Sequence, residues 1–455
     1  MRRLLRWLIA GSTPPLMGYA IGLGALAGAV VTAYDVILLR IGEWLAVDWL
    51  RLPFDQPPGL HPDILLHPPA IWFPIITAIG LSASWLIMNR AFSGVGSHTT
   101  DRVIDAFHNH NGNLPMRLAI AVAIASIFTV AFGGAAGREA QAGLIGAAVA
   151  VAVGRRIGVR PADLRTIMLI GLAAGFSSAF KTPLGAAFIA VEILYRDLSI
   201  ESDALIYTIV AAVVAYVLTG SLTGWEGEFR VAVATGLNQP GDYVWIALLG
   251  VVGGFAAALM PTVFFTIRKI VAGIPLPGLL KAFGGGLVVG VLGLIAPVII
   301  GDGSFSFSLQ DAAAWSGWTL LAAGTLRLIA LSITLGAGGV GGVLSPSLII
   351  GALLGAGFAH LFELPFLQTA IVGMGTLFAG AARVPIGTLL MVSELTGGYE
   401  LMPAAALAVA ISYAIQIVVG ERLPYPSIHG EQPPTLWSSP AHQDEILAAG
   451  IGLLQ

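Results

Sequence analysis

The sequence of 455 residues contains no cysteine, which excludes a disulfide framework and thiol chemistry and leaves the redox compartment open. Charge is nearly as scarce. Asp, Glu, Lys and Arg make up 10% of the chain, against about 25% in a soluble globular protein. The net charge of -3 and the lack of a basic stripe argue against nucleic acid. Neither H-E-x-x-H nor G-x-S-x-G occurs, so an intramembrane hydrolase is only a remote alternative. What is abundant is apolar: 56% of the residues are hydrophobic and 58 are glycine. At 47.0 kDa the chain is too large to hide that surface in one water-exposed core. Lipid must be its solvent.

Long uncharged runs cover residues 11–34, 69–89, 118–137, 140–154, 204–225, 243–267, 282–300, 328–361 and 401–420. Each predicts a helix or a helix pair, because about 20 apolar residues cross a bilayer. The fold class is therefore all-α and polytopic. The opening MRRLLRWLIAG has the basic start of a signal peptide. Its apolar run continues to Tyr34 without a clear cleavage site, so we read it as a span, with Arg2, Arg3 and Arg6 holding the N-terminus in the cytoplasm. A cell inner membrane is the expected location. Three further runs, 166–180, 182–191 and 384–393, are too short to cross and end at Lys181, Glu192 and Glu394. Short interrupted segments of this kind read as broken helices, where transporters hold their cargo.

The chain also repeats itself. Gly171, Lys181, Pro183 and Glu192 recur as Gly373, Arg383, Pro385 and Glu394, with identical spacing inside each set. Upstream, Gly137 and Gly146 recur 205 residues later as Gly342 and Gly351. Glycines and prolines match by chance in apolar segments, but matched basic and acidic positions do so less readily. We read a transmembrane domain over 1–430, with duplicated halves at about 1–228 and 235–430. A short polar tail over 431–455 leaves no room for a soluble regulatory domain.

Charges within apolar stretches are costly and therefore informative. Glu139 lies in Gly137-Arg138-Glu139-Ala140-Gln141, where a run of small residues meets a predicted helix start. A helix N-terminus offers unpaired N–H groups and a positive dipole end, so a carboxylate there can act as a tethered anion that competes with a free one. The plainer alternative is a helix cap or a pair with Arg138. Two more Gly-rich turns precede helical patterns. One runs from Gly94 through Ser97, His98 and Thr99 to Asp101, and the other from Gly338 to Pro346. Close helix packing would explain either one, whereas three such turns in one chain suggest an anion cage. His108 and His110 form an HxH with no Cys or further His beside it in sequence, so no metal is expected. Lys181 and Arg383 are expected to face a polar vestibule or pair with carboxylates. The Arg155, Arg156, Arg160 and Arg165 cluster reads as a cytoplasmic loop.

From about Tyr19 to Ile428 the chain resembles the CLC family of chloride channels and chloride/proton exchangers, of the prokaryotic type without cytoplasmic CBS domains. Gly137–Gln141 is similar to the family's GREGP motif and Gly341-Gly342-Val343-Leu344-Ser345-Pro346 to its GGIFAP motif. The stretch 94–101 sits where GSGIP belongs, Gly171 to Glu192 resembles the family's most recognisable internal segment, and Tyr425 falls at its pore tyrosine. The resemblance implies a CLC-type fold of two inverted repeats, a homodimer with one pore per subunit, and chloride as cargo with no cofactor. Glu139 would be the gate. Arg138, Glu139, Ala140, Val343, Leu344 and Tyr425 would line the anion sites together with Ser97, His98 or Thr99. Three departures stand out. The 95–99 stretch does not align cleanly with GSGIP, which leaves anion preference open. Gln141 replaces a proline. The family's exchangers often carry an inner proton-relay glutamate where this chain has Ile193, one residue past Glu192. Glu139, Glu192 and Ile193 are thus the proton-pathway candidates. The expected function is glutamate-gated anion transport as chloride/proton antiport, with a passive glutamate-gated chloride channel as the alternative.

Overall fold

Backbone polar groups in hydrocarbon must be satisfied within the chain, so apolar runs of this length can only become helices. The computed structural model describes residues 13–52, 57–58, 68–91, 99–195, 198–225, 227, 237, 239–303 and 307–419. The presumed repeat junction near 228–235 and the 431–455 tail lie outside these residues. The helices are α1 (Thr13–Glu43), α2 (Phe73–Ala91), α3 (Thr99–Asn109), α4 (Met116–Val130), α5 (Glu139–Arg156), α6 (Leu164–Phe180), α7 (Pro183–Glu192) and α8 (Ser202–Thr223). They continue with α9 (Pro240–Gly273), α10 (Gly278–Ile295), α11 (Leu309–Ala312), α12 (Gly317–Gly336), α13 (Leu344–Leu361), α14 (Phe366–Ala382), α15 (Pro385–Thr396) and α16 (Met402–Val419). Nine segments among the described residues are long and apolar enough to span a membrane. The 328–361 run breaks into the end of α12 and α13 across a glycine turn, and the short runs 182–191 and 384–393 emerge as α7 and α15. Contrary to the expectation that the 166–180 run is too short to cross, a turn at Pro161–Asp163 extends α6 into a 20-residue candidate span, Pro161–Phe180.

The internal duplication is present in backbone detail. α6 ends at Lys181 and α14 at Arg383, both left-handed, with φ of 56° and 58°. Each is followed by a helix with proline in its first turn, Pro183 for α7 and Pro385 for α15. Proline lacks the N–H that would be orphaned there and its fixed φ suits a helix start. The turn into α5 carries Gly133 at φ 95°, and the turn into α13 carries Gly338 at φ 109°. Glycine also sets how closely neighbouring helices approach. A Cβ at Gly146 on α5 would stand 2.2 Å from the Gly171 carbonyl on α6, and one at Gly351 on α13 would stand 2.5 Å from the Gly373 carbonyl on α14. Small residues permit this packing in lipid, where no hydrophobic force presses helices together.

The halves are bound by reciprocal bonds. The Val340 N–H donates to Thr129 Oγ1 (2.9 Å), and the Ala135 N–H donates to Thr334 Oγ1 (3.2 Å). Thr129 ends α4 and Thr334 lies near the end of α12, so each half supports the other's turn. Between them an antiparallel bridge pairs Gly137 with Gly342, with N–H to carbonyl distances of 2.9 and 2.7 Å. α5 and α13 both begin at this junction, in the middle of the molecule.

Candidate functional site

Glu139 is the first residue of α5 and is fully buried. Its carboxylate reaches across the junction to the start of α13. There Oε1 accepts the Ser345 N–H at 2.9 Å and Oε2 accepts the Ser345 hydroxyl at 2.7 Å. The carboxylate therefore occupies the donor-rich N-terminus of a helix from the opposite half, where a free anion would bind. Two glycines make room for it. A Cβ on Gly137 would lie 2.1 Å from Oε1, and one on Gly342 would lie 2.7 Å from the same oxygen.

The Gln141 amide stitches the two turns together. In the orientation that satisfies its neighbours, its nitrogen donates to the carbonyls of Arg138 (2.8 Å) and Gly137 (3.0 Å), and its oxygen accepts the Gly341 N–H (3.0 Å). A proline at this position would supply none of these bonds. The substitution thus replaces rigidity of the ring with side-chain bonds to both halves.

Arg138 is 3% exposed, and its guanidinium donates to Asp302 and to the Ala179 carbonyl (3.1 Å). Its Nε also stands 3.5 Å from the buried Asp35 on α1. Arg327 of α12, fully buried, donates to the carbonyls of Val298 and of Gly301 (3.3 Å) in the segment that carries Asp302. Buried charges persist only when paired in this way. The Arg138 guanidinium thus braces α1, α6 and the Asp302 segment. Ser345, Asp35, Asp302 and Arg327 were not foreseen as site residues. Asp35 and Arg327 each stand at the edge of an apolar run, which is the signal that marked Glu139.

Val343 is the N-cap of α13 and Leu344 its first residue, both buried. Val343 lines a small cavity with Met260, Phe264, Ser347, Phe378 and Ala382. Ala140, beside Glu139, is buried as well. Thr99 is the first residue of α3 and is 3% exposed, and its hydroxyl makes no hydrogen bond among the described residues. Ser97, His98 and Tyr425 lie outside the described residues.

Glu192 accepts the N–H groups of Ile386 (3.2 Å) and Gly387 (2.8 Å) at the start of α15. Glu394 accepts those of Leu184 (3.0 Å) and Gly185 (2.8 Å) at the start of α7. The duplicated glutamates therefore cap each other's helices. Ile193, directly after α7, is 1% exposed. The matched cations bond to neutral groups: Lys181 Nζ reaches the Thr223 carbonyl at 3.4 Å, and Arg383 donates to the Gln416 side chain. The two histidines point to separate partners. His108 meets the Leu194 carbonyl (2.8 Å), and His110 meets Asp105 (3.4 Å).

A buried carboxylate seated on a helix N-terminus at the junction of duplicated halves, inside a bundle of spanning helices, defines an integral multi-pass membrane protein with an anion seat. The voltage gated chloride channel family matches residues 79–416, and the chain belongs to that family. The chain is 29% identical over 365 residues to a chloride/fluoride channel protein of Pseudomonas syringae pv. tomato, covering 77% of this chain and 76% of that one. It is 27% identical over 383 residues to the voltage-gated ClC-type chloride channel ClcB of Escherichia coli O17:K52:H18, covering 82% and 90%. Among solved structures, a CLC-type fluoride/proton antiporter overlays with a TM-score of 0.75 at 23% identity, covering 91% of this chain and 97% of that one. A slow cyanobacterial Cl-/H+ antiporter overlays with a TM-score of 0.78 at 19% identity and the same coverage. The fold is thus the CLC fold, with two inverted-topology repeats and broken helices.

Proposed function

We propose that this protein carries chloride or a similar small anion across a membrane in exchange for protons, with Glu139 as its gate. The observation that carries the reading is the Glu139 carboxylate on the Ser345 N–H and hydroxyl. When ionised it fills the seat. When protonated it has no charge to hold it there, and an anion takes its place. Donors without a full cation bind an anion and still release it. The relatives' names support both chloride and fluoride as cargo. Of the 97–99 candidates we assign Thr99 as a donor to the passing anion, because its buried hydroxyl at the start of α3 has no hydrogen-bond partner among the described residues. The anion is cargo, so transport calls for no resident cofactor or metal, and we read the chain as a transporter rather than an enzyme.

By the positive-inside rule, the arginines at 155, 156, 160 and 165 support a cytoplasmic assignment for their face of the bundle, together with the N-terminus. The bacterial relatives support an inner membrane location. A homodimer is supported by Leu184 and Ile386, exposed on adjacent helices too short to span alone. Ile193 favours a second reading, passive glutamate-gated passage, because it cannot hold a proton.

Reconstituted liposomes separate the two. With a chloride gradient imposed, uphill proton movement that is lost in Glu139→Gln, while anion flow persists, establishes antiport. Anion flux without proton movement establishes the passive channel. Coupled, pH-dependent flux that survives in Glu139→Gln would remove Glu139 from the gate.

A further inference from the structure

After α7 the chain folds back into a buried group of titratable side chains. Glu201 stands at the N-cap of α8, yet its side chain caps no helix N–H. At 4% exposure it instead accepts the hydroxyl proton of Tyr195, itself 3% exposed. The backbone holds this arrangement in place, with the Glu201 N–H on the Val191 carbonyl (3.1 Å) and the Tyr195 N–H on the Glu192 carbonyl (3.2 Å). His108, near the end of α3, sets its ring 5.9 Å from that of Tyr195. Arg165 of α6 lies over the Phe107 ring (5.4 Å) and reaches Asn111 Oδ1 (3.0 Å) and the His108 carbonyl (3.5 Å). Among the described residues, Tyr195 of its own loop bonds directly to Glu201, and His108 of α3 and Arg165 of α6 stand around Tyr195 and Phe107 beside it. Ile193 lies within the same loop.

A carboxylate that merely ended a helix would bond to its N–H groups and face water. Glu201 does neither, and burying a carboxylate is costly. A group kept in that position at such cost marks a functional site. Its place in the molecule says which one. α5 runs 18 residues from Glu139 to Arg156, about 27 Å at 1.5 Å per residue. Arg165, His108 and Glu201 gather at the Arg156 end. A proton leaving Glu139 for that face crosses much more than one side-chain swing, so it needs a second holder. Glu192 has both oxygens bound to α15.

We propose that Glu201 is the proton-holding carboxylate of the arginine-rich face, with Tyr195 as its positioning residue. The proposal rests on the antiport reading above. A hydronium ion on that face gives a proton to a Glu201 oxygen and is left as water. The neutral carboxyl then passes it to interior water, which carries it past Ile193 to the Glu139 carboxylate. Glu201 returns to the ionised form and again accepts the Tyr195 hydroxyl. The reverse sequence releases the proton.

The test uses the full chain in liposomes, with chloride and proton fluxes recorded together for wild type, Glu201→Gln and Tyr195→Phe, and pH-step infrared difference spectra of the same proteins. Glu201→Gln is expected to keep anion flux within about twofold while proton flux falls about a hundredfold, the scale of a lost acid–base group. Tyr195→Phe is expected to retain coupling with a shifted pH profile. A protonated-carboxyl band that appears on acidification in wild type is expected to vanish in Glu201→Gln. Unchanged proton flux in Glu201→Gln beside a coupled wild type overturns this proposal alone, as does an unchanged carboxyl band. A wild type that moves no protons uphill overturns the antiport reading and the proposal with it. Should Glu201→Gln not assemble, Glu201→Asp serves: slowed protons with intact anion flux support the role, and unchanged coupling refutes it.

Discussion

Both bonds that tie the proposed gate, Glu139, to the opposite half come from one serine. Ser345 offers Glu139 both a backbone N–H and a hydroxyl, and only the hydroxyl can be removed by substitution. A hydrogen bond to an ionised group contributes about 1.5–3 kcal/mol, so Ser345→Ala weakens the occupied seat by roughly tenfold to a hundredfold. A weaker seat lets a free anion displace the carboxylate more readily. Anion flux at neutral pH is therefore expected to rise in Ser345→Ala, measured as chloride efflux from liposomes. Unchanged or slower flux in a folded variant would show that this bond does not hold the gate shut. Gly137 makes the complementary case. The Cβ of Gly137→Ala would fall 2.1 Å from Glu139 Oε1, which excludes the carboxylate from its present position. That variant is expected to conduct anions with little pH dependence, resembling Glu139→Gln. A variant that folds and keeps the wild-type pH profile would mean the carboxylate has another closed position.

Short helices in a membrane protein raise an accounting question, because their first N–H groups have no intrahelical partner and no water nearby. α7 and α15 answer it by exchange: Glu192 of one half caps α15, and Glu394 of the other caps α7. Glu192 is completely buried, while the Glu394 side is partly exposed. Glu192→Ala is therefore expected to lower the unfolding free energy by about 2–4 kcal/mol, leaving one buried and one part-buried donor unmet, and Glu394→Ala by about half as much because its donors are more exposed. Denaturation in detergent followed by circular dichroism gives the comparison, and an equal or larger loss in Glu394→Ala would contradict it. These glutamates also show how far sequence reading reaches. Their matched spacing from Pro183 and Pro385 revealed the repeat, and the short apolar runs revealed α7 and α15. The crossed capping was invisible, because a carboxylate that bonds a helix 194 residues away leaves no local pattern. The same holds for Arg138. Its place in the motif suggested an anion ligand, whereas its guanidinium is taken by Asp302, 164 residues on. Glu139 itself was legible because a lone charge at the start of an apolar helix is rare enough to need a reason.

At the scale of the whole molecule, the two helices that begin at the central bridge leave it in opposite directions. α5 and α13 start at the Gly137–Gly342 bridge, and each is 18 residues long, about 27 Å. In an inverted pair, two such helices from a central junction must end on opposite faces. On the proposed orientation, the α5–α6 connection, with Arg160 beside Arg155 and Arg156 at the end of α5, is expected on the cytoplasmic side, and the α13–α14 connection around Glu363 on the other. Both connections have exposed positions, at Ala162 and at Glu363. The cysteine-free sequence makes this directly measurable, since a single introduced thiol is the only one present. Ala162→Cys is expected to react with a membrane-impermeant maleimide only when the reagent reaches the cytoplasmic face, as in inside-out vesicles. Glu363→Cys is expected to react only from the opposite face, as in intact spheroplasts. Labelling of both from one side would contradict the inversion, while the two patterns exchanged would preserve the inversion and reverse the orientation. The second outcome would also move Glu201 to the outer face and make it the holder of outward rather than inward protons.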